Sequence, residues 1–433
     1  MKACDPRWRD NSRQAWHRAR FAVSDKNARF VALRFLFGNQ LCCFVYPGQK
    51  VKTALARAAK STYRLGVIGF AHMHVNELIA QFVALEQVKL IACADTIPSV
   101  PSLTEVDGSR RANLRRALES AGPPRAYENY LEMLDTEDLD IVIFCPEISR
   151  HAEVAEALAV RGIHMVTEKP MAGSLSDALR MVRAARNADV ALMVNWPTTW
   201  SPWVLKVKDL IDAGEIGDVW EFKWRNGPSL GPLAAGSTHP GNTVISGALS
   251  DTEKAAEWWH QADAGGGALL DYCSYGACLS SWYLGQDALA VQGFKANLLS
   301  PFGSADDNAA MLVRFPQAMA ILEGTWTTFH AGVPTGPIVY GTDGTIVVDG
   351  AEALVFKERG NPDPTHAHAG DPLPVGGATI AEVFIRHIET GESPHPTLDI
   401  PLNLASVAVL DAGIRSAASG KVEPVYNAQW AIG

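Results

Sequence analysis

The chain lacks most of the features that would place it in a specialised class. Its seven cysteines, at positions 4, 42, 43, 93, 145, 273 and 278, include no CxxC pair, so a structural zinc module is excluded. Cys93 and Cys145 lie in apolar runs that read as buried strands, a usage that fits a reducing cytoplasm. Two His-x-His pairs, His72/His74 and His366/His368, have no third ligand beside them in the sequence, so no metal is expected. No apolar run reaches the roughly 20 residues of a spanning helix. The nearest, RFVALRFLFGNQLCCFVYPG, is broken by Arg34 and by Gly38-Asn39-Gln40. It has no small-residue cleavage site, and the stretch before it is long for a signal peptide. There is no low-complexity tract and no internal repeat. Positive charge is scarce outside the N-terminus: residues 63–433 carry a net charge of −19, which a phosphate backbone would repel, so nucleic acid is excluded as a partner.

What is present divides the chain of 433 residues into more than one core. Residues 1–62 are basic, net +10. Their Arg-rich, acid-poor composition resembles an organelle transit peptide, but we read them as a disordered extension or a stretch outside the native protein. From Tyr63 a strand–turn–helix pattern repeats. YRLGVIGF, VKLIACAD, DIVIFCP, IHMVTEKP and VALMVNW are continuous apolar strands, as expected of a parallel sheet buried on both faces. Helices between them complete a doubly wound α/β domain over 63–195. After Trp196 the texture changes to alternating strands such as VWEFKWR and Gly-containing turns. Residues 196–433 are therefore expected to form an α+β domain with an open, mostly antiparallel sheet.

The first strand–turn–helix is where a dinucleotide would place its pyrophosphate, on the helix N-terminus. The turn reads Gly69-Phe70-Ala71-His72-Met73-His74, so only the first glycine of G-x-G-x-x-G/A is present. Ala71 adds one methyl, and bulky His74 should push the helix start outward. Asp95 ends the second strand 26 residues after Gly69, where an acid binds a ribose 2′-hydroxyl and repels a 2′-phosphate. NAD is the expected cofactor, and Arg110 and Arg111 downstream leave NADP open. In VTEKPMAG, Glu168 and Lys169 end a strand at the carboxyl edge of the sheet, and Pro170 stops it there. A lysine so placed can stabilise negative charge developing on a substrate oxygen. Further on, GGGALLDYCSYG puts Asp271 and Tyr275 four residues apart, on one face of a helix that should otherwise face the core.

In their order, RLGVIGF…AD, PEISRH, TEKPMAGSLSDA, SPWVLKVKDLIDAGEIGDV, GGGALLDYCSYG and GTDGTIVVDG resemble the glucose–fructose oxidoreductase / inositol dehydrogenase / MocA family, from Tyr63 to about Pro424. The resemblance implies a Rossmann domain followed by an open-sheet domain often used for homo-oligomerisation. It implies catalytic roles for Lys169, Asp271 and Tyr275. Cofactor contacts are implied at Gly69, Ala71, His72, Met73, Asp95, Pro146, His151, Glu168, Lys169 and Asn195. Tyr275 stands where most members have histidine. A free phenol has a pKa of ~10, so Tyr275 would donate a proton at neutral pH unless Lys169 lowers its pKa.

Nine of twelve tryptophans lie between Trp196 and Trp326. Indoles pack on the apolar faces of sugar rings. Trp196, Trp200, Trp259 and His260, with Arg225, are therefore candidates for a carbohydrate or polyol site. The expected activity is an NAD(P)-dependent oxidoreductase on a sugar, sugar derivative or cyclitol. The alternatives are an NAD-dependent redox-neutral glycosidase and a non-catalytic dinucleotide or sugar sensor.

Overall fold

The computed structural model describes residues 60–119, 124–227, 249–328, 332–334 and 336–426, with the backbone of 32–37 and 40–45. Residues 1–53 are a unit of their own, in which β1 (Ala32–Phe37) and β2 (Gln40–Val45) pair antiparallel. The rest of the expected N-terminal extension lies almost wholly outside the described residues.

The second unit opens with β3 (Tyr63–Phe70), α1 (Val75–Val83), β4 (Val88–Ala94), α2 (Arg110–Glu119), β5 (Arg125–Tyr127) and α3 (Tyr130–Thr136). It continues through β6 (Ile141–Cys145), α4 (His151–Ala159), β7 (His164–Glu168), α5 (Leu175–Ala188) and β8 (Leu192–Asn195). The six strands are all parallel in the order β5-β4-β3-β6-β7-β8. Central β6 is fully buried along its length, which is why it reads as an unbroken apolar run. The order reverses between β4 and β6 around β3, and that switch point opens a crevice at the carboxyl ends of the strands. Local signals agree with the ends of the elements. Ser174 caps α5 by accepting from the Asp177 N–H at 3.1 Å. As the bulk of His74 suggested, α1 starts just beyond it, at Val75.

After α6 (Pro202–Asp212) come β9 (Val219–Asn226), α7 (Asp251–Ala256), α8 (Ser274–Leu284), β10 (Ala290–Ala296), β11 (Asn308–Arg314) and β12 (Met319–Thr325). Then follow β13 (Ile338–Gly341), β14 (Thr345–Asp349), β15 (Glu352–Phe356), β16 (His366–Ala369), α9 (Ile380–Thr390), α10 (Ile400–Ser419) and β17 (Glu423–Pro424). These nine strands form one sheet in the order β16-β15-β14-β13-β9-β12-β11-β10-β17. Its pairs are antiparallel except β9–β12, which run parallel, so VWEFKWR is antiparallel to one neighbour only. One face is covered: in β11, Ala309, Met311 and Val313 are buried while the residues between them are not. Helix α9 packs against the first sheet's side of the molecule. A capping box of Thr379 and Glu382 starts it, Phe384 meets Phe82 with ring centroids 6.0 Å apart, and Tyr63 donates its hydroxyl to Glu389 at 3.2 Å. The second sheet's segment thus lends a helix to the first.

Candidate active site

Strand β7 ends at Glu168 and Lys169 follows it, both with buried side chains. Lys169 Nζ donates to Asp271 Oδ1 at 2.8 Å and to the Asp271 carbonyl at 3.0 Å, and sits 4.3 Å from the centroid of the Tyr275 ring. The three residues that the sequence marked therefore meet. Their meeting depends on a feature spacing did not reveal: Leu269–Cys273 is a π-helical turn, and α8 begins only at Ser274. Such turns re-aim side chains within helices and recur at functional sites. The turn is anchored by Asp306, whose carboxylate accepts from the Leu269 N–H at 2.8 Å and from Lys295 Nζ at 3.0 Å. Just before it, a Cβ at Gly266 would lie 2.2 Å from the Trp259 carbonyl oxygen, so only glycine lets the two backbones touch.

Second contacts hold the cluster. Asp271 Oδ2 accepts from Trp326 Nε1 at 3.2 Å. Tyr275 stacks on Trp224, centroids 5.8 Å apart, and meets Trp196 edge-on at 5.6 Å. Burial pushes the Tyr275 hydroxyl up to about 12, and the opposing pull of Lys169 does not overcome it. For Lys169, burial works against the charge, but the Asp271 carboxylate outweighs it and holds the ammonium above its ordinary range. The site thus keeps a neutral phenol beside a firmly charged lysine.

The glycine turn lies at the other end of the crevice. Gly69 has φ +81°, and a Cβ there would lie 2.5 Å from the Pro146 nitrogen. The N–H groups of Ala71 and His72 donate to the Cys145 carbonyl at 3.0 and 3.2 Å. Asp95 Oδ1 accepts from the Phe70 N–H at 3.1 Å, the Thr96 N–H at 2.8 Å and Arg110 at 2.7 Å. Arg110 is itself clamped between Asp95 and Glu147, and Arg111 pairs with Glu105 at the surface. Trp258 donates its Nε1 to the Ala71 carbonyl at 2.7 Å and stacks on Trp259 at 3.9 Å, while Trp259 lies 5.0 Å from the His72 ring. Lys169, Pro170, Trp258, Trp259, Gly265–Gly267 and Asp271 line one narrow cleft beside the Lys169–Asp271 pair.

The comparisons identify the family of both domains. Residues 63–196 match the oxidoreductase family with an NAD-binding Rossmann fold, and residues 204–347 match the GFO/IDH/MocA C-terminal domain. The chain belongs to the Gfo/Idh/MocA oxidoreductase family. Among its relatives is a dTDP-3,4-didehydro-2,6-dideoxy-alpha-D-glucose 3-reductase of Streptomyces violaceoruber, 28% identical over 53% of this chain and 56% of that one. A myo-inositol 2-dehydrogenase of Thermotoga maritima is 28% identical over 36% of this chain and 42% of its own. The chain therefore spans about half the length of the curated relatives it matches. The WlbA dehydrogenase of Bordetella pertussis, solved with NADH and UDP-GlcNAcA, superimposes with a TM-score of 0.64 over 84% of this chain and 99% of that one. At 21% identity that likeness speaks for the fold.

Within this Gfo/Idh/MocA frame the remaining candidates take distinct places. Asn195 donates to Glu168 Oε1 at 2.6 Å and accepts from Trp200 Nε1 at 3.1 Å, so those three form one network. His151 bonds the Met171 carbonyl at 3.0 Å and is fully buried, a strut between α4 and the loop after Lys169. Arg225 pairs with Glu323, its register partner across β9–β12, at 2.7 Å. His260 packs edge-on to Phe302 and Trp326, and burial lowers it to about 4. Met73 is buried beside the turn. Trp196 bonds Asn403 at 2.8 Å. Trp326, Asp306 and Glu147 are participants that sequence reading missed. Trp258, the neighbour of Trp259, belongs to the tryptophan cluster the sequence marked, whereas the other three act through partners far along the chain.

The turn meets the requirements of a dinucleotide. It has a glycine that no side chain can replace, an acid fixed at the end of β4, and a helix starting at Val75. Among the described residues no helix is long and apolar enough to cross a membrane.

Proposed function

We propose that the chain is an NAD-dependent oxidoreductase acting on a carbonyl or hydroxyl of a sugar, sugar derivative or cyclitol. The observation that carries the reading is the buried Lys169–Asp271–Tyr275 cluster at the carboxyl edge of a parallel sheet. Gly69 to Met73, Asp95 and Glu168 would hold the dinucleotide, Pro146 would back the glycine, and Asn195 would orient Glu168. NAD, when bound, supplies or accepts the hydride. Lys169 donates a hydrogen bond to the substrate oxygen and stabilises its developing negative charge. Tyr275 gives that oxygen its proton during carbonyl reduction and takes it back during oxidation. Asp271 positions Lys169. Because burial keeps the phenol protonated, reduction is favoured at neutral pH and oxidation in alkali. Arg110 is already neutralised by two carboxylates, which supports NAD over NADP.

Trp259 lines the crevice beside Lys169 and offers the sugar an indole face. Trp200 lies beside Asn195, while Arg225 and His260 stand further from Lys169's own contacts. The exposed side chains of Phe294, Leu312 and Met319, on the open face of the C-terminal sheet, support self-association there. Buried free thiols such as Cys145 and Cys273 suit a reducing cytoplasm.

The test follows nicotinamide absorbance with NAD and NADP against sugars, glycosides and cyclitols, comparing wild type with Lys169→Ala. Turnover that the variant loses supports the reading. A substrate consumed without net nicotinamide change would overturn it in favour of redox-neutral chemistry.

A further inference from the structure

We propose that His72, His74 and Glu168 form a site for a divalent transition-metal ion of the zinc class. The sequence shows only a His-x-His pair. The fold adds the third group by bringing the end of β7 against the β3–α1 turn. One ligand atom from each residue lies within 4.8 Å of the others, and His74 Nδ1 is 3.5 Å from Glu168 Oε2. Zinc bonds of ~2.0–2.2 Å place tetrahedral neighbours roughly 3.3 Å apart, so one edge is nearly set and His72 must close the other two. That closure exchanges the hydrogen bond from the His74 N–H to His72 Nδ1, at 3.2 Å, for a coordinate bond.

Three further observations support a metal over a plain hydrogen-bonded cluster. All three side chains are more than nine-tenths buried. The carboxylate is oriented from behind: Asn195 holds Glu168 Oε1, Trp200 holds Asn195, and Oε2, which also accepts from the Lys169 N–H at 3.3 Å, faces His74. The donor set of two imidazole nitrogens and one carboxylate oxygen selects zinc-like ions over magnesium or calcium. The inference goes beyond the redox reading and shares residues with it. Glu168 and His72 are also proposed to contact the dinucleotide, so ion and dinucleotide exclude one another.

The test uses the full chain, stripped with chelator and titrated with Co²⁺. The expected result is one ion per chain with the strong visible absorption of four-coordinate cobalt, displaced by Zn²⁺. His74→Ala and Glu168→Gln should each weaken binding at least ~10-fold, the low end for loss of even an outer-shell partner. The double variant His366→Ala/His368→Ala, which removes the other His-x-His pair, should bind as wild type. Circular dichroism checks that each variant is folded, and Glu168→Gln carries the test if His74→Ala is not. Absence of binding, a weak six-coordinate spectrum, or loss only in the His366/His368 variant would overturn the site. Saturating NADH should raise the cobalt dissociation constant; an unchanged constant with NADH bound would overturn the exclusion. Because the readout is cobalt absorption, failure of this site is separable from failure of the oxidoreductase reading.

Discussion

The two ends of the crevice each bury a cation against carboxylates, and they do opposite things with it. At the β4 end, Arg110 lies between Asp95 and Glu147 and also donates to the Thr96 carbonyl at 2.8 Å. Its charge is spent on holding Asp95 in place. At the β7 end, Lys169 faces one carboxylate and the face of a phenol. A planar guanidinium with five donors can satisfy several acceptors at once and is suited to scaffolding. An ammonium on a flexible stem, paired on one side only, can still turn a donor toward a substrate oxygen. The same burial therefore makes a strut at one end and, on the proposed reading, a catalytic donor at the other.

The sharpest way to break that contrast is Lys169→Ala. Turnover should fall roughly 10²–10³-fold, the usual loss when a donor to a developing oxyanion is removed. Dinucleotide binding, followed by fluorescence, should survive. If turnover and binding fell together, Lys169 would be a strut like Arg110. Asp271 would also be left buried without its cation, so the thermal midpoint should drop.

Next in size is Tyr275→Phe, which keeps the ring under Lys169 and removes only the hydroxyl. The rate constant for turnover should fall roughly 10²-fold. The pH profile gives the sign. With the phenol raised to about 12, it is protonated throughout pH 6–10. Carbonyl reduction should then be independent of this group over that range. Oxidation, which needs the phenolate, should rise about tenfold per pH unit. Tyr275→Phe should abolish that slope, and a slope surviving in the variant would assign the proton to another group.

How far these ends were legible in the sequence differs in the same way. Lys169, Asp271 and Tyr275 could be named because each sits in a motif with its own local signal: a strand-ending proline, a glycine run, an i,i+4 pair. Strands β3 and β6 were legible because burial on both faces leaves a continuous apolar run. What was hidden depends on distant partners. Trp326 reaches Asp271 from 55 residues away, and Glu147 reaches Arg110 from 37. No periodicity links such positions. The π-helical turn was hidden because its residues look helical either way, and the parallel β9–β12 pairing because alternation reports a strand's faces but not its partner's direction. Short β5, β16 and β17 carry too few residues to show a pattern. His72 and His74 were set aside because Glu168 is far along the chain.

At the adenosine end the expected effects are smaller. Arg110→Gln leaves Asp95 and Glu147 buried without their cation, which should lower the thermal midpoint and raise KM for NAD about tenfold with little change in kcat. A loss confined to kcat would contradict a scaffolding role. The smallest effect belongs to its neighbour. Arg111 is exposed and pairs with Glu105, at 2.6 Å, and surface pairs contribute ~0–1 kcal/mol. Arg111→Gln should therefore leave stability and NAD kinetics unchanged. Unlike Arg110 it is not held between buried carboxylates, and so it is able to turn toward a 2′-phosphate. Should Arg111→Gln remove a measurable activity with NADP while sparing NAD, the exposed arginine would be a cofactor contact. Selection at this end would then rest on an exposed surface cation rather than on Asp95 and its buried clamp.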